Sequence, residues 1–322
     1  MVAEPRRTRR RKDAPRLERI RMRRRILLIG GTGQVGVALR ACSWPSDIEL
    51  VAPTRADLDL GDTSATIAYV ARGRFCAVVN AAAYTAVDKA ESEVVAAWKV
   101  NALAPAAIAS ATKNLGIPIV HISTDYVFDG LKNEAYLEDD PVAPLGVYGA
   151  SKEGGEQAVR TGNPRHAIIR TAWLFSSSGA NFLTTMLRKG AENAVLNVVD
   201  DQRGCPTAAL DLAKALQVIT LRLVNHPDAP FGTYNFVNAG EATWYDFAVE
   251  IFRQQSRMGF KVPELKPIKT SEYPTAARRP GNSTLSNAKV ARDFGIASSH
   301  WKDALTRVLT AQSESVKPAQ DH

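Results

Sequence analysis

Residues 26–36, Ile26-Leu27-Leu28-Ile29-Gly30-Gly31-Thr32-Gly33-Gln34-Val35-Gly36, form an apolar run that leads directly into a glycine-rich turn. The apolar run predicts a buried strand, and the residues after the turn predict a helix. A strand, a glycine turn and a helix N-terminus in this order bring backbone N–H groups close to a diphosphate. Gly30, Gly33 and Gly36 are therefore predicted to bind a dinucleotide, although their GxxGxxG spacing differs from GxGxxG.

Alternating strand and helix patterns continue through the first half of the chain. Four further apolar runs predict strands, and residues 88–116 predict a helix in which Pro105 marks a kink or a new first turn. Runs that are apolar on both faces are typical of buried parallel strands. The predicted fold class is α/β, an NAD(P)-binding Rossmann fold with a doubly wound parallel sheet and a smaller C-terminal substrate-binding domain. The runs are IELVAPTR, FCAVVNAAA, IPIVHISTDYVF and HAIIRTAWLF.

The second half is less regular. Residues 231–240 predict one more strand, and residues 243–259 predict an amphipathic helix with Thr243 as its N-cap. Residues 268–285, rich in Pro, Gly, Ser and Arg, predict a loop.

The positive charge lies almost entirely in an N-terminal leader. Residues 1–25 hold twelve Arg and Lys against three acidic residues, a net +9, which leaves −1 for residues 26–322 out of the chain's total of +8. The leader has few apolar residues, so we expect a disordered segment. Nucleic-acid binding is not expected except through this leader, and Met22 is an alternative start of the protein.

Composition also bounds the cellular setting. The chain has 322 residues, of which 45% are hydrophobic, enough for a substantial core. It contains no run of 18 apolar residues, so we expect no membrane span. Cys42, Cys76 and Cys205 lie far apart without metal-ligand spacing, which favours reduced thiols and a cytoplasmic protein.

The tip of the second strand bears on the choice of cofactor. An acidic residue at this tip would hold the ribose diol of NAD, whereas a basic one suits the 2′-phosphate of NADP. Arg55 stands near the tip, and Asp57 and Asp59 follow later. This order favours NADPH, with NADH as the alternative.

A tyrosine and a lysine occur four residues apart in VYGASK, residues 147–152. On a helix, Tyr148 and Lys152 would share one face, where an ammonium can lower the pKa of a phenol. Thr124 ends the predicted strand of IPIVHISTDYVF, at the edge of the sheet where ligands bind. A hydroxyl at this strand end, from Ser123 or Thr124, would hydrogen-bond a substrate carbonyl oxygen. Together with the glycine turn, the strand-end hydroxyl and the Tyr148–Lys152 pair predict a site for proton exchange with a substrate beside a bound dinucleotide.

These motifs resemble the extended short-chain dehydrogenase/reductase family. GGTGQVG, STDYVF and YGASK carry the general resemblance, and VVNAAAYTAVDKAE, NFLTTMLR, DQRGCPT and YPTAARRPGNS are similar to its dTDP-4-dehydrorhamnose reductase branch. The resemblance covers about residues 26–305. It implies that the carbon-4 ketone of dTDP-4-dehydro-β-L-rhamnose is reduced to give dTDP-L-rhamnose, the last step of its synthesis.

The resemblance also assigns residues to this site. It implies that Thr124 orients the substrate carbonyl and that Tyr148 donates the proton. It also implies that Lys152 tunes Tyr148 and binds the nicotinamide ribose. The implied cofactor-binding residues are Gly30, Gly33, Gln34, Val35, Gly36, Arg55, Asp59, Leu60, Ala83, Tyr84, Thr85, Tyr148 and Lys152. The implied substrate-binding residues are Thr124, Asp125, Trp173, Arg279 and Asn282.

The chain departs from the family pattern at several positions. Tyr84 stands where His is frequent, and Arg203 and Cys205 stand where Tyr and Ala are frequent. Some members hold a Mg²⁺ between subunits with a glutamate two residues beyond the last loop glycine. Ala38 occupies that position here, so no metal is predicted. The resemblance also suggests a homodimer.

Other functions remain open alternatives. A dehydratase of the same group needs Asp-Glu after the threonine, whereas this chain has Asp125-Tyr126. A reductase of another nucleotide-linked 4-ketosugar and a regulatory subunit without activity both fit the motifs.

The predicted organisation has two domains and two tails. We expect a disordered leader (1–25), a Rossmann domain (26–172 and 208–238), a substrate-binding domain (173–207 and 239–310) and a disordered tail (311–322). The active site is expected in the cleft between the domains.

Overall fold

A six-stranded parallel sheet forms the centre of the computed structural model, which describes residues 23–316. The strands are β1 (Arg24–Ile29), β2 (Ile48–Val51), β3 (Phe75–Asn80), β4 (Ile119–Thr124), β5 (His166–Thr171), β6 (Leu174–Phe175), β7 (Val195–Val199), β8 (Arg203–Gly204), β9 (Thr207–Ala208), β10 (Gly232–Asn235), β11 (Ala242–Thr243) and β12 (Glu264–Ile268). The sheet order is β2-β1-β3-β4-β5-β10, and the other strands pair two by two. The predicted parallel α/β fold is confirmed.

Helices cover both faces of the sheet and build the second half of the molecule. They are α1 (Gln34–Ala41), α2 (Thr63–Arg72), α3 (Val87–Ala90), α4 (Val94–Trp98), α5 (Ala104–Asn114), α6 (Val147–Gly162), α7 (Phe182–Glu192), α8 (Ala209–Asn225), α9 (Trp244–Arg257), α10 (Ala288–Phe294) and α11 (Trp301–Val316). Thr243 caps α9, since its hydroxyl accepts a hydrogen bond from the Asp246 N–H at 3.0 Å. The predicted cap is confirmed.

The strand order reverses between β1 and β3, because β2 lies on one side of β1 and β3 on the other. Loops that leave the carboxyl ends of these two strands diverge and open a crevice, which is where such sheets bind ligands. All six residues of β4 and of β5 are buried, so these strands fix their end residues firmly at the same edge.

The buried side chains form four clusters. One packs a face of the sheet against α1 and α8, and another packs the opposite face against α2 and α5. A third, the core of the second part, joins α7, α9 and α11, and a small fourth lies around Phe128 and Tyr136. The predicted boundaries differ in one region, because α10 packs Val290 against the core of the sheet rather than the second core. Residues 288–294 therefore belong with the Rossmann part and not, as predicted, with the substrate-binding part.

Part of each tail that was predicted to be disordered lies in a strand or a helix of the structure. β1 begins at Arg24, inside the segment predicted as a leader, because Arg24 and Arg25 pair with Ile48 and Glu49 of β2. Helix α11 continues to Val316, so residues 311–316 are helical and not disordered as predicted. The rest of the leader, with Met22, and residues 317–322 lie outside the described residues.

Pro105 does mark a change of helix geometry. Residues 94–114 form one helix in which Lys99–Leu103 adopt a π turn immediately before α5. Proline lacks the N–H that would bond to the carbonyl of Asn101, and a π turn is one way to absorb that loss. Within the described residues this is the only helix long and apolar enough to cross a membrane by length and composition, and it packs against α2 and α6 of the core.

Candidate active site

The glycine turn between β1 and α1 has the shape of a phosphate-binding loop. Gly30 adopts φ +83°, and a Cβ there would lie 2.6 Å from the Ala82 nitrogen. A Cβ at Gly36 would lie 2.1 Å from the Gly30 carbonyl oxygen, so glycine is required for the close approach of turn and helix. At Gly33, the N-cap of α1, a Cβ would meet only the Gly30 oxygen, at 3.5 Å, so the space beside this residue is otherwise open. The unfilled space and the free N–H groups of α1 fit a diphosphate.

The other residues predicted to bind the cofactor lie around the same edge. Arg55 and Asp59 are exposed in the turn after β2, while the Leu60 side chain is buried in the core. Ala83, Tyr84 and Thr85 form the loop after β3. These positions agree with an adenosine side near β2 and a nicotinamide side near β4, but their contacts with a cofactor remain predictions.

Thr124, Tyr148 and Lys152 meet at the carboxyl edge of the sheet. Thr124 ends β4, and the other two lie one turn apart at the start of α6. The Tyr148 phenol lies near the Thr124 hydroxyl, close enough for that hydroxyl to affect its pKa. The buried Lys152 ammonium donates a hydrogen bond of 2.6 Å to the Ile122 carbonyl oxygen on the same strand. The predicted grouping of a hydroxyl, a phenol and an ammonium is thus present.

The expected direction of the Tyr148 pKa is wrong. The sequence suggested that Lys152 lowers it, but burial raises the pKa of Tyr148 to about 12, against a smaller lowering effect of the nearby Thr124 hydroxyl. The Asp125 carboxylate nearby raises it further. Tyr148 is therefore a neutral phenol at neutral pH, the protonation state that a proton donor requires.

Lys152 sits in a dry environment with one anionic neighbour on its own helix. Burial lowers its pKa to about 8, and the Glu156 carboxylate, one turn further along α6, opposes this lowering. Arg170 of β5 holds that carboxylate through two hydrogen bonds of 2.9 and 2.7 Å, and both side chains are almost fully buried. Neither Glu156 nor Arg170 was singled out from the sequence.

Asp125 controls the direction of the Thr124 hydroxyl. Thr124 donates a hydrogen bond of 2.9 Å to one carboxylate oxygen of Asp125, while the second oxygen is buried without a partner in the described structure. Burial raises the pKa of Asp125 to about 6. A protonated Asp125 could donate to Thr124 instead, which would free the threonine proton for a substrate oxygen.

Trp173 lies on the opposite side, in the second half of the molecule. Its ring stacks on Trp244 with centroids 3.4 Å apart, and its backbone adopts φ +47°, unusual for a bulky residue. Gly204 lies directly beneath the indole, where a Cβ would come within 2.3 Å of a ring atom. Trp244 lines a cavity of about 410 Å³, and Trp173 stacks on it without lining the cavity itself. Other lining residues include Phe182, Thr185, Met186, Lys189 and Arg279.

Arg279, in the loop segment within residues 268–285, lines this cavity. Asp88 of α3 holds its guanidinium through contacts of 2.8 and 3.3 Å, and this hydrogen bond lowers the pKa of Asp88. The predicted arginine is thus fixed at the boundary between the two halves, with donors left for an anion.

Asn282 does not have the role expected for it. Its amide nitrogen donates to the carbonyl oxygens of Lys132 and Glu134, and its oxygen accepts from the Thr284 N–H and hydroxyl. The buried amide is therefore used within the protein, and it positions the loop after β4 instead of being free for a substrate.

Asn101 is a residue that the sequence reasoning missed. Its amide oxygen accepts from the Tyr84 N–H at 2.8 Å, and its nitrogen donates to the Tyr84 carbonyl oxygen and the Ser151 hydroxyl. It thereby joins the loop after β3 to the helix that carries Tyr148. Pro105 four residues later was the available indication, since it disturbs the helix at Asn101.

The parallel sheet, its glycine turn and the Thr124, Tyr148 and Lys152 group define the extended short-chain dehydrogenase/reductase class. A family model described as "RmlD substrate binding domain" matches residues 23–314. The chain therefore belongs to the family that this model describes, the RmlD substrate-binding-domain family.

Relatives that are named dTDP-4-dehydrorhamnose reductase match nearly the whole chain. The dTDP-4-dehydrorhamnose reductase of Sinorhizobium fredii is 41% identical over 288 residues, 89% of this chain and 97% of that protein. The enzyme of the same name from Salmonella typhimurium is 40% identical, over 88% and 97%. The crystal structure of the Bacillus anthracis dTDP-4-dehydrorhamnose reductase in complex with NADP is similar with a TM-score of 0.82 and 34% identity, over 90% of this chain and all of that one.

Proposed function

We propose that the protein reduces the carbon-4 ketone of dTDP-4-dehydro-β-L-rhamnose to give dTDP-L-rhamnose, the last step of dTDP-rhamnose synthesis. The observation that carries this proposal is the meeting of Thr124, Tyr148 and Lys152 beside a glycine turn shaped for a dinucleotide. The choice of substrate is supported by relatives named dTDP-4-dehydrorhamnose reductase that are about 40% identical over nearly the full chain.

NADPH is the proposed cofactor, with NADH as the alternative. Gly33, Gln34 and Val35 would hold its diphosphate, and Arg55, exposed after β2, would meet a 2′-phosphate. Asp59, Leu60, Ala83, Tyr84 and Thr85 would complete the cofactor side. When bound, the cofactor supplies the hydride. The NADP complex of the Bacillus anthracis relative supports this preference.

Proton delivery is assigned to Tyr148. Its raised pKa keeps the phenol protonated, so it can donate as negative charge develops on the ketone oxygen. Thr124 would hold the same oxygen by a hydrogen bond. Lys152, charged below pH 8, would stabilise the phenolate that remains and would bind the nicotinamide ribose.

The nucleotide part of the substrate would occupy the cavity beside Trp244. Arg279 would bind its diphosphate, because a guanidinium is well shaped for phosphate oxygens and this one is already oriented by Asp88. Trp173 and Asp125 would contact the sugar. Asn282 would act through the loop that it positions.

The cellular location and the oligomeric state of the protein are also proposals. Three cysteines without a disulfide suit a reducing cytoplasm. A homodimer is proposed on family resemblance alone, and Ala38 in place of a glutamate gives no support to a bridging Mg²⁺.

The test is NADPH oxidation by the purified protein with dTDP-4-dehydro-β-L-rhamnose made in situ, with NADH compared in parallel. We expect rapid oxidation and dTDP-L-rhamnose as the product identified by mass spectrometry. A dTDP-linked 4-ketosugar with a different ring configuration serves as the comparison substrate. Faster reduction of that sugar would favour the alternative reductase, and no oxidation of either cofactor would favour the regulatory-subunit alternative.

A further inference from the structure

The side chain of Gln34 makes a contact that its place in the glycine turn does not require. Gln34 is the first residue of α1, so its backbone N–H faces the proposed diphosphate site. Its side-chain oxygen instead accepts hydrogen bonds from Asn181 Nδ2 at 3.0 Å and from Ser176 Oγ at 2.7 Å. Both donors belong to the loop between β6 and α7, in the second half of the molecule.

The same loop also lies against the aliphatic part of the Gln34 side chain. Gly179 adopts φ +77°, and a Cβ there would lie 3.5 Å from Gln34 Cγ. Residues 177–180 are otherwise exposed. Within the loop, Asn181 Nδ2 also donates to the carbonyl oxygens of Ser176 and Ser178, and the Thr184 hydroxyl donates to that of Gly179. The Gln34 contacts therefore join an internally hydrogen-bonded loop to the glycine turn.

Asn181 also begins the wall of the substrate cavity. Its side-chain oxygen accepts from the Thr184 N–H at 3.0 Å and caps α7, whose residues Phe182 and Thr185 line the cavity. Phe182 in turn packs on Trp244, with centroids 4.6 Å apart. The two ends of the Asn181 amide thus bond to the cofactor turn and to the cavity wall.

We propose that Gln34 is a positioning residue that couples the two binding sites, its backbone N–H holding the cofactor diphosphate and its side chain holding the N-terminus of α7. Because one residue serves both sites, cofactor that fixes the glycine turn also fixes the loop and the first turn of α7. The nucleotide site is then partly ordered before the sugar nucleotide arrives, and by linkage each ligand strengthens the binding of the other. This inference rests on the proposed function, since it assigns the cavity to the substrate nucleotide.

The experiment measures the dissociation constant of dTDP by calorimetry, with and without saturating NADP⁺. The variants are Gln34→Met, which keeps the length of the side chain without its acceptor, Asn181→Ser, which keeps an N-cap hydroxyl without the amide donor, and the two combined. For the wild type we expect NADP⁺ to tighten dTDP binding about fivefold or more. In each variant the factor should fall towards one, and the combined variant should lose no more than the single variants.

The outcomes separate the coupling from the function. Full coupling in Gln34→Met and Asn181→Ser, or no coupling in the wild type, would overturn the role of Gln34 while leaving the reductase proposal intact. Failure of dTDP to bind the wild type under any condition would contradict the proposed function and the coupling with it. Thermal melts of all variants check that the fold is retained.

Discussion

The Lys152 ammonium is buried, so its pKa depends mainly on the loss of water and on the few ionisable groups close to it. His121 of β4 is neutral, because burial lowers its pKa well below the usual range, and Glu156 is the anion that acts on the ammonium. The ammonium is present below pH 8 and is lost as the pH rises through that value. The rate of ketone reduction should therefore decline above about pH 8.

Replacement of Glu156 by Gln removes the interaction that raises the Lys152 pKa. We expect the alkaline limb of the kcat profile to move to lower pH, while the cofactor still binds at pH 6. Glu153→Gln, on the same helix, is the control and should leave the profile in place. An unchanged profile in Glu156→Gln would exclude this carboxylate as the group that sustains the charge of Lys152.

The Arg170 and Glu156 pair should be far more important for stability than an exposed pair. Arg170→Met leaves a buried carboxylate without its main partner and should lower the free energy of unfolding by about 3–5 kcal/mol in urea titrations. Arg188→Met removes an exposed partner of Glu192 and should change it by about 0.5 kcal/mol or less. Equal effects of the two substitutions would contradict the buried role.

Single residues were predicted from the sequence when their role depends on local spacing. Tyr148 and Lys152 are of this kind, since four residues on a helix bring them together. The pKa of Tyr148 and the internal bonding of Asn282 depend on burial and on partners far along the chain. The local spacing of residues indicates neither the burial of a side chain nor its distant partners.

The glycine turn provides a prediction at the level of an element. Gly33→Ala adds a Cβ that meets the Gly30 oxygen at an ordinary 3.5 Å, so the protein should fold normally but bind NADPH more weakly, because the methyl group enters the diphosphate space. Gly36→Ala would place a Cβ at 2.1 Å from that oxygen and should destabilise the turn itself. Fluorescence titration with NADPH and a thermal melt distinguish the two effects. Normal NADPH affinity in Gly33→Ala would show that the diphosphate lies elsewhere.

Elements with a continuous apolar run or a strong periodic pattern were predicted well, and the strands of two residues were not. β1, β2, β3, β4, β5 and β10 follow from apolar runs, and α9 follows from its amphipathic pattern and Thr243. The π turn before Pro105 was expected only as a kink, because the sequence does not indicate which helical geometry absorbs the missing N–H. β12 was not predicted from the sequence, because its pairing partner, β7, is distant along the chain.

The whole molecule should unfold as one unit. α10, from the C-terminal half, packs on the core of the sheet, and Gln34 bonds to the loop before α7, so the two parts share contacts. NADPH at 100 times its dissociation constant should raise the free energy of unfolding by about 2.7 kcal/mol for the entire chain. Far-UV circular dichroism and the near-UV band of the tryptophans should give the same shifted transition. Two transitions, of which only one shifts, would contradict this.

At this scale the sequence predicted the Rossmann part better than the second part. The Rossmann part is built from consecutive strands and helices, whereas the second core combines α7, α9 and α11 from separate stretches of chain. The assignment of residues 288–294 was wrong for this reason, since their position depends on contacts with α8 and β10 and not on their own pattern.

The central claim is that Tyr148 donates the proton to a ketone that the cofactor reduces. The most direct measurement compares NADPH oxidation with dTDP-4-dehydro-β-L-rhamnose by the wild type and by Tyr148→Phe, together with the dissociation constant of NADPH for both. We expect Tyr148→Phe to lose turnover about 10²–10⁴-fold, with cofactor affinity nearly unchanged. Undiminished turnover in Tyr148→Phe would contradict it.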